Sequence, residues 1–136
     1  MNFALDSSFA LAWVLQDEAT PRADQALQLL GQGAKAFIPA LWRWEVANAL
    51  WNVARRKRAT ASAVNEHLLL LQSLPIEVDA ASLELAWTAT SLLARRHKLS
   101  IYDAAYLELA LRRGLPLASF DSELASAAKV EGVALL

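Results

Sequence analysis

The sequence predicts an α/β fold of three layers, α/β/α, with a short, mostly parallel central sheet. Three observations carry this. Apolar runs of three to five residues recur along the chain, the length of buried strands. Between them lie longer stretches with helical periodicity and recognisable start and stop residues. Strands that alternate with helices pair in parallel and are covered on both faces.

The elements follow in order. "NFAL" (2–5) reads as a strand and residues 7–16 as a helix. "TPRADQALQLLGQG" (20–33) has Thr20 as N-cap, Pro21 in the first turn and glycine past the end, the expected helix punctuation. "AFIP" (36–39) is a second strand, stopped by Pro39. Residues 40–57 form a long helix rich in Trp, followed by a helix over 60–74 opened by Thr60. "IEV" (76–78) is a third strand and 80–97 a helix ending in a basic run. Residues 101–113 form a helix that stops before Gly114. "PLAS" (116–119) is a strand, 122–130 a helix and "GVALL" (132–136) a last strand.

At 136 residues, 56% hydrophobic and 20% charged, the chain fits one globular domain spanning 1–136. It has no Cys and two His, at 67 and 97, which removes thiolate sites, Cys nucleophiles and His-rich zinc sites. No apolar run is long enough for a membrane span. The N-terminus lacks a basic segment and meets Asp6 early, unlike a secretory signal. Both features place the expected location in the cytoplasm.

Acids recur where strands give way to helices. Asp6 follows "NFAL", and Asp121 lies two residues beyond "PLAS". Glu45 lies in the helix after "AFIP", and Asp103 in the first turn of its helix, within the apolar stretch "LSIYDAAYLELA". Singly, each has an ordinary reading as a cap or a solvated helix residue. Together they lie near the carboxyl ends of strands, where open α/β sheets build their sites. Two carboxylates about 4 Å apart repel by ~4 kcal/mol at an effective dielectric of about 20. Such a cluster calls for protons or a cation, and all-oxygen donors suit Mg²⁺ or Mn²⁺.

"FALDSS", "P-x5-EVANAL", "LSIYDAAYLELA" and "LASFDSEL" resemble, in order, the acidic signatures of the PIN-domain ribonucleases, above all the VapC-type toxins of toxin–antitoxin pairs. The resemblance spans nearly the whole chain. It implies a PIN-like fold and a Mg²⁺- or Mn²⁺-dependent endoribonuclease that leaves 5′-phosphate and 3′-hydroxyl ends. It aligns Asp6, Glu45, Asp103 and Asp121 with the family's acidic quartet as metal ligands. Ser7 matches a small polar residue after the first Asp, and Ser119 stands where the family usually has Thr. Asn48 lies a helical turn after Glu45 and is a supporting candidate. Glu123 is a substitute should Asp121 point away. The resemblance further implies a cognate antitoxin and a homodimer as partners.

Nine of the thirteen Lys and Arg residues cluster at 55–58, 95–98 and 112–113. They read either as dipole-complementing helix ends or as RNA phosphate contacts. Trp42, Trp44, Trp51 and Trp87 read first as core. Helix 40–57, however, is apolar on more than one side, which predicts a buried partner surface.

Other classes fit less well. A receiver domain wants paired acids after the first strand, haloacid-dehalogenase chemistry wants D-x-D there, and residue 8 is Ser. None of the four glycines forms a dinucleotide-binding G-x-G-x-x-G. The remaining alternative is a catalytically silent PIN-fold module that binds RNA or protein.

Overall fold

The computed structural model describes residues 1–136. Four parallel strands form the sheet: β1 (Phe3–Leu5), β2 (Ala36–Ile38), β3 (Ile76–Val78) and β4 (Leu117–Ala118). Their spatial order is β3-β2-β1-β4. The register pairs Phe3 with Ala36, Ala36 with Ile76, and Ala4 with Leu117.

The helices are α1 (Ser7–Val14), α2 (Pro21–Gly31), α3 (Leu41–Arg55), α4 (Ala61–Ser73), α5 (Ala81–Glu84), α6 (Ser91–His97), α7 (Ile101–Arg113) and α8 (Ser122–Val130). The predicted caps Thr20 and Thr60 accept backbone N–H bonds at the starts of α2 and α4, and Ser100 does so at the start of α7. Gly114, with φ 63°, ends α7 in the left-handed conformation that glycine adopts without strain.

Strand order explains the layers. The crossovers from β1 to β2 and β2 to β3 step one way across the sheet. The crossover from β3 to β4 returns past β1 to the opposite edge. Right-handed connections therefore lay α1–α4 and α5–α8 on opposite faces. The winding reverses between β1 and β4, which is the topological switch point of such a sheet.

Helix α7 is the centre of the second layer. Ala104 to Ala110 are all buried, so it is covered all round rather than along one stripe. This accounts for its near-continuous apolar sequence. Its buried acid, Glu108, is paired one turn on with Arg112 Nε at 2.8 Å.

Two elements differ from expectation. The predicted helix 80–97 is broken by a π turn over Ala86–Thr90, where Ser91 Oγ donates to the Ala86 carbonyl at 2.7 Å. A wider turn of this kind draws an extra residue into the helix and shifts its faces. The predicted strand 132–136 is reduced to one bridge, Leu117 to Leu135, because β4 itself is two residues long.

The tryptophans divide. Trp42 is core, whereas Trp44, Trp51 and Trp87 are 73%, 58% and 93% exposed. The core reading fails for these three. Trp44 and Trp51 share one outward face of α3. Trp87 lies in the π turn, beyond the reach of the core.

Each basic cluster commits part of its charge to acids. Arg112 and Arg113 both reach Asp79, Arg113 Nε at 3.0 Å. Arg113 also lies over the Phe37 ring at 3.9 Å. Arg96 and His97 hold Glu131 at 2.8 and 2.6 Å, and Arg58 pairs with Asp17. Arg112 and Arg113 thus fasten the end of α7 to the β2–β3 side of the sheet.

Candidate active site

Asp6 directly follows β1 and is 6% exposed. A buried carboxylate needs several donors, and Asp6 has them. Oδ1 accepts the Ser7 N–H at 2.8 Å, which caps α1. Oδ2 accepts the Ser8 and Ser119 hydroxyls at 2.9 and 2.6 Å. Each hydroxyl also accepts from the backbone: Ser8 from Phe120 N–H at 2.9 Å, Ser119 from Asp121 N–H at 3.0 Å. The ends of β1 and β4 are therefore tied together through one carboxylate, at the switch point.

Asp121 caps α8 by accepting the Leu124 N–H at 2.8 Å. Asp103 opens α7, where its backbone N–H donates to Ser100 Oγ at 3.0 Å. Glu45 projects from α3, and its Oε1 accepts the hydroxyl of fully buried Tyr106. Tyr106 lies one turn beyond Asp103 on α7.

The carboxyls are near enough to load one another electrostatically. Burial pushes the Glu45 carboxyl above its ordinary range, and the charges of Asp6 and Asp103 add to this against the Tyr106 hydrogen bond. Burial also raises Asp103, helped by Asp121, Asp6 and Glu123 and opposed by the Ser100 hydroxyl. None of the four forms an ion pair with Lys, Arg or His. The donor set is therefore all oxygen, mutually repelling and without a protein cation, which fits a hard divalent ion. As the side chains stand, no three of these acids are close enough to hold one ion.

The remaining candidates are placed as follows. Ser119 is in contact with Asp6. Ser7 contributes chiefly its backbone N–H, its hydroxyl lying 3.4 Å from Oδ1. Asn48 is exposed on α3. Glu123 is exposed in the first turn of α8, near enough to influence Asp103. It also lines an open polar groove of about 400 Å³ with Lys98, Ser122 and Ser126. A smaller groove of about 190 Å³ lies away from the acids, between α3 and α4, lined by Trp42, Val46, Leu68 and Leu71.

Sequence reading missed Ser8 and Tyr106. Both carried a signal. Ser8 follows the strand-end Asp by two residues, the spacing of a side chain that bonds back at a helix start. Tyr106 is spaced to share a helix face with Asp103.

The chain belongs to the PIN-domain family, which it matches over residues 3–130. It is 33% identical over 129 residues to Ribonuclease VapC3 of Pyrobaculum aerophilum, covering 92% of this chain and 93% of that protein. The crystal structure of PAE2754 from Pyrobaculum aerophilum superposes with a TM-score of 0.69 at 26% identity, over 93% of this chain and 84% of that one. VapBC2 from Rickettsia felis, solved bound to a DNA fragment from their promoter, gives 0.68 at 12% identity over 100% and 98% of the two chains. VapC20 of Mycobacterium tuberculosis, a sarcin-ricin loop cleaving toxin, gives 0.61 at 19% identity over 92% and 94%. The last two share the fold. No helix is long and apolar enough to cross a membrane.

Proposed function

We propose that this protein is a Mg²⁺- or Mn²⁺-dependent endoribonuclease and the toxin of a toxin–antitoxin pair, with residues 1–136 forming one PIN domain. The observation that carries the reading is the group of Asp6, Glu45, Asp103 and Asp121 beside the switch point, none of them paired with Lys, Arg or His. The relatives named ribonuclease and toxin support it.

In this reading the four carboxylates hold the cation. When bound, it neutralises phosphate charge and makes a water acidic enough to act as nucleophile at neutral pH. Asp6, fixed by three donors, is the rigid reference of the site. Burial and neighbouring charge work against ionisation of Glu45 and Asp103, and a bound cation would offset that load. Ser119 and Ser8 hold Asp6 and the backbone before α8 in one frame. The groove beside Lys98 and Ser126 supplies a polar path for the RNA strand, with Lys98 as a phosphate contact. Water adds to phosphorus and the ribose 3′ oxygen leaves, giving 5′-phosphate and 3′-hydroxyl ends.

The partners in this reading are RNA, a cognate antitoxin and a second copy of the chain, and the place of action is the cytoplasm. Exposed Trp44 and Trp51 supply the apolar surface that a protein partner needs.

The test is cleavage of total cellular RNA by purified protein with Mg²⁺, with Mn²⁺ and with chelator, alongside Asp103→Asn. Discrete metal-dependent fragments absent from the variant support the nuclease. Equal results for both proteins sink the catalytic assignment and leave the silent binding module.

A further inference from the structure

Glu45 has two carboxylate oxygens, and one of them is taken. Oε1 accepts the Tyr106 hydroxyl, and Tyr106 is fully buried in the middle of α7. Residues on both sides of it, Ala104 to Ala110, are buried as well. The ring is therefore held by the core and does not swing away to follow the carboxylate. A phenol is protonated at neutral pH, so Tyr106 is the donor of this bond. Glu45, by contrast, is on the rim, between this fixed hydroxyl and the charges of Asp6 and Asp103.

Divalent cations differ in what they ask of a carboxylate. Mg²⁺ demands near-octahedral geometry, whereas Ca²⁺ accepts a larger, flexible shell that often includes both oxygens of one carboxylate. A carboxylate with one oxygen engaged by a buried donor offers the other far more readily than both. Asp6 is restricted more fully, with both oxygens engaged. Its Oδ1 already accepts the Ser7 N–H and its Oδ2 two hydroxyls. Glu45 is left with one unengaged oxygen by a group belonging to the fold.

We propose that Tyr106 is a positioning residue that sets cation selectivity: by engaging Oε1 it makes Glu45 a one-oxygen donor, which favours Mg²⁺ and Mn²⁺ over Ca²⁺. The inference rests on the reading of the four acids as a cation site and goes beyond it by assigning the choice of ion to a residue that touches no ion.

The experiment measures binding without RNA. Calorimetric titrations of the full chain with Mg²⁺, Mn²⁺ and Ca²⁺ are compared between wild type and Tyr106→Phe, with folding checked by circular dichroism. The wild type is expected to prefer Mn²⁺ and Mg²⁺. In Tyr106→Phe that preference over Ca²⁺ falls by about tenfold, the scale of one charge-assisted hydrogen bond. A purely structural role for the tyrosine lowers stability, or all three affinities alike, and leaves the ratio unchanged; that result overturns the proposal. Should Tyr106→Phe fail to fold, Glu45→Asp withdraws the carboxylate from the hydroxyl with the ring in place, and the same fall in ratio is expected. Absence of any cation binding by the wild type overturns the site reading and this proposal together. Cation binding that Asp103→Asn weakens, with selectivity untouched by either Tyr106→Phe or Glu45→Asp, overturns the proposal alone.

Discussion

Ser119 Oγ lies 2.6 Å from Asp6 Oδ2 while accepting the Asp121 N–H at 3.0 Å. One buried hydroxyl thus joins the acid after β1 to the backbone of the acid after β4, 113 residues apart in sequence. It extends the strand pairing by one step, beyond Leu5 opposite Ala118 and the Asp6 N–H on the Ala118 carbonyl at 3.0 Å.

Ser119→Ala is expected to destabilise the protein by about 1–3 kcal/mol, because Asp6 loses a donor and the Asp121 N–H its acceptor. Urea denaturation at pH 7 reads the loss. The variant should also bind Mn²⁺ more weakly, since Asp6 and Asp121 are no longer held in one frame. A change below ~0.5 kcal/mol would mean that the Ser7 N–H and the Ser8 hydroxyl suffice to hold Asp6.

Asp103→Asn should act in the opposite sense on the metal-free protein. The Asp103 charge is unfavourable in the fold, first through burial and then through Asp121 and Asp6. The Asn keeps the backbone N–H that Ser100 caps. Tm without metal is expected to rise by about 3 °C, while the Tm increase that Mn²⁺ gives the wild type largely disappears. Differential scanning fluorimetry measures both. A lower metal-free Tm in the variant would show that Asp103 is not under electrostatic load.

The parts of this molecule that were legible in sequence are those decided locally. Strand ends, Thr20 and Thr60 as caps, and acids next to those ends all depend on a few neighbouring residues. Asp79 was not legible. It is a strand-end acid like Asp6, yet its partners Arg112 and Arg113 lie 33 and 34 residues away, and no spacing pattern reveals a pair closed only by tertiary packing. The π turn was missed for a related reason: its extra residue leaves helical periodicity nearly intact. Trp44 and Trp51 show the limit of hydrophobicity as a guide, since composition does not say which apolar face meets the core.

Trp44 and Trp51 stand seven residues apart on α3, 73% and 58% exposed. Two large aromatics on one outward helix face carry the surface chemistry of interface anchors. The wild-type chain is expected to run as a dimer in size-exclusion chromatography with light scattering. Trp44→Glu combined with Trp51→Glu should give a monomer with unchanged circular dichroism, because neither side chain belongs to the core. A monomeric wild type would remove the homodimer from the proposed function.

Acid unfolding should carry the signature of Asp79. Burial alone would raise this carboxyl, but hydrogen bonds from Arg112 and Ser82 and the charges of Arg112 and Arg113 bring it down from 3.8 to about 2. A folded pKa below the unfolded one means stability that is complete above pH 3.8 and lost as pH falls through about 2. The contribution is about 2 kcal/mol at 1.36 kcal/mol per pH unit. Glu45 and Asp103, both raised, act the other way: protonating them relieves the fold. Stability should therefore rise slightly as pH drops from 7 into their range and then fall steeply between pH 4 and 2. In Asp79→Asn the steep limb should flatten, and stability at pH 7 should drop by about 2 kcal/mol. Urea titrations at half-unit pH steps separate the cases. A variant curve parallel to the wild type would assign the acid limb to other carboxylates and leave the Arg112–Asp79 contact a packing feature without electrostatic weight.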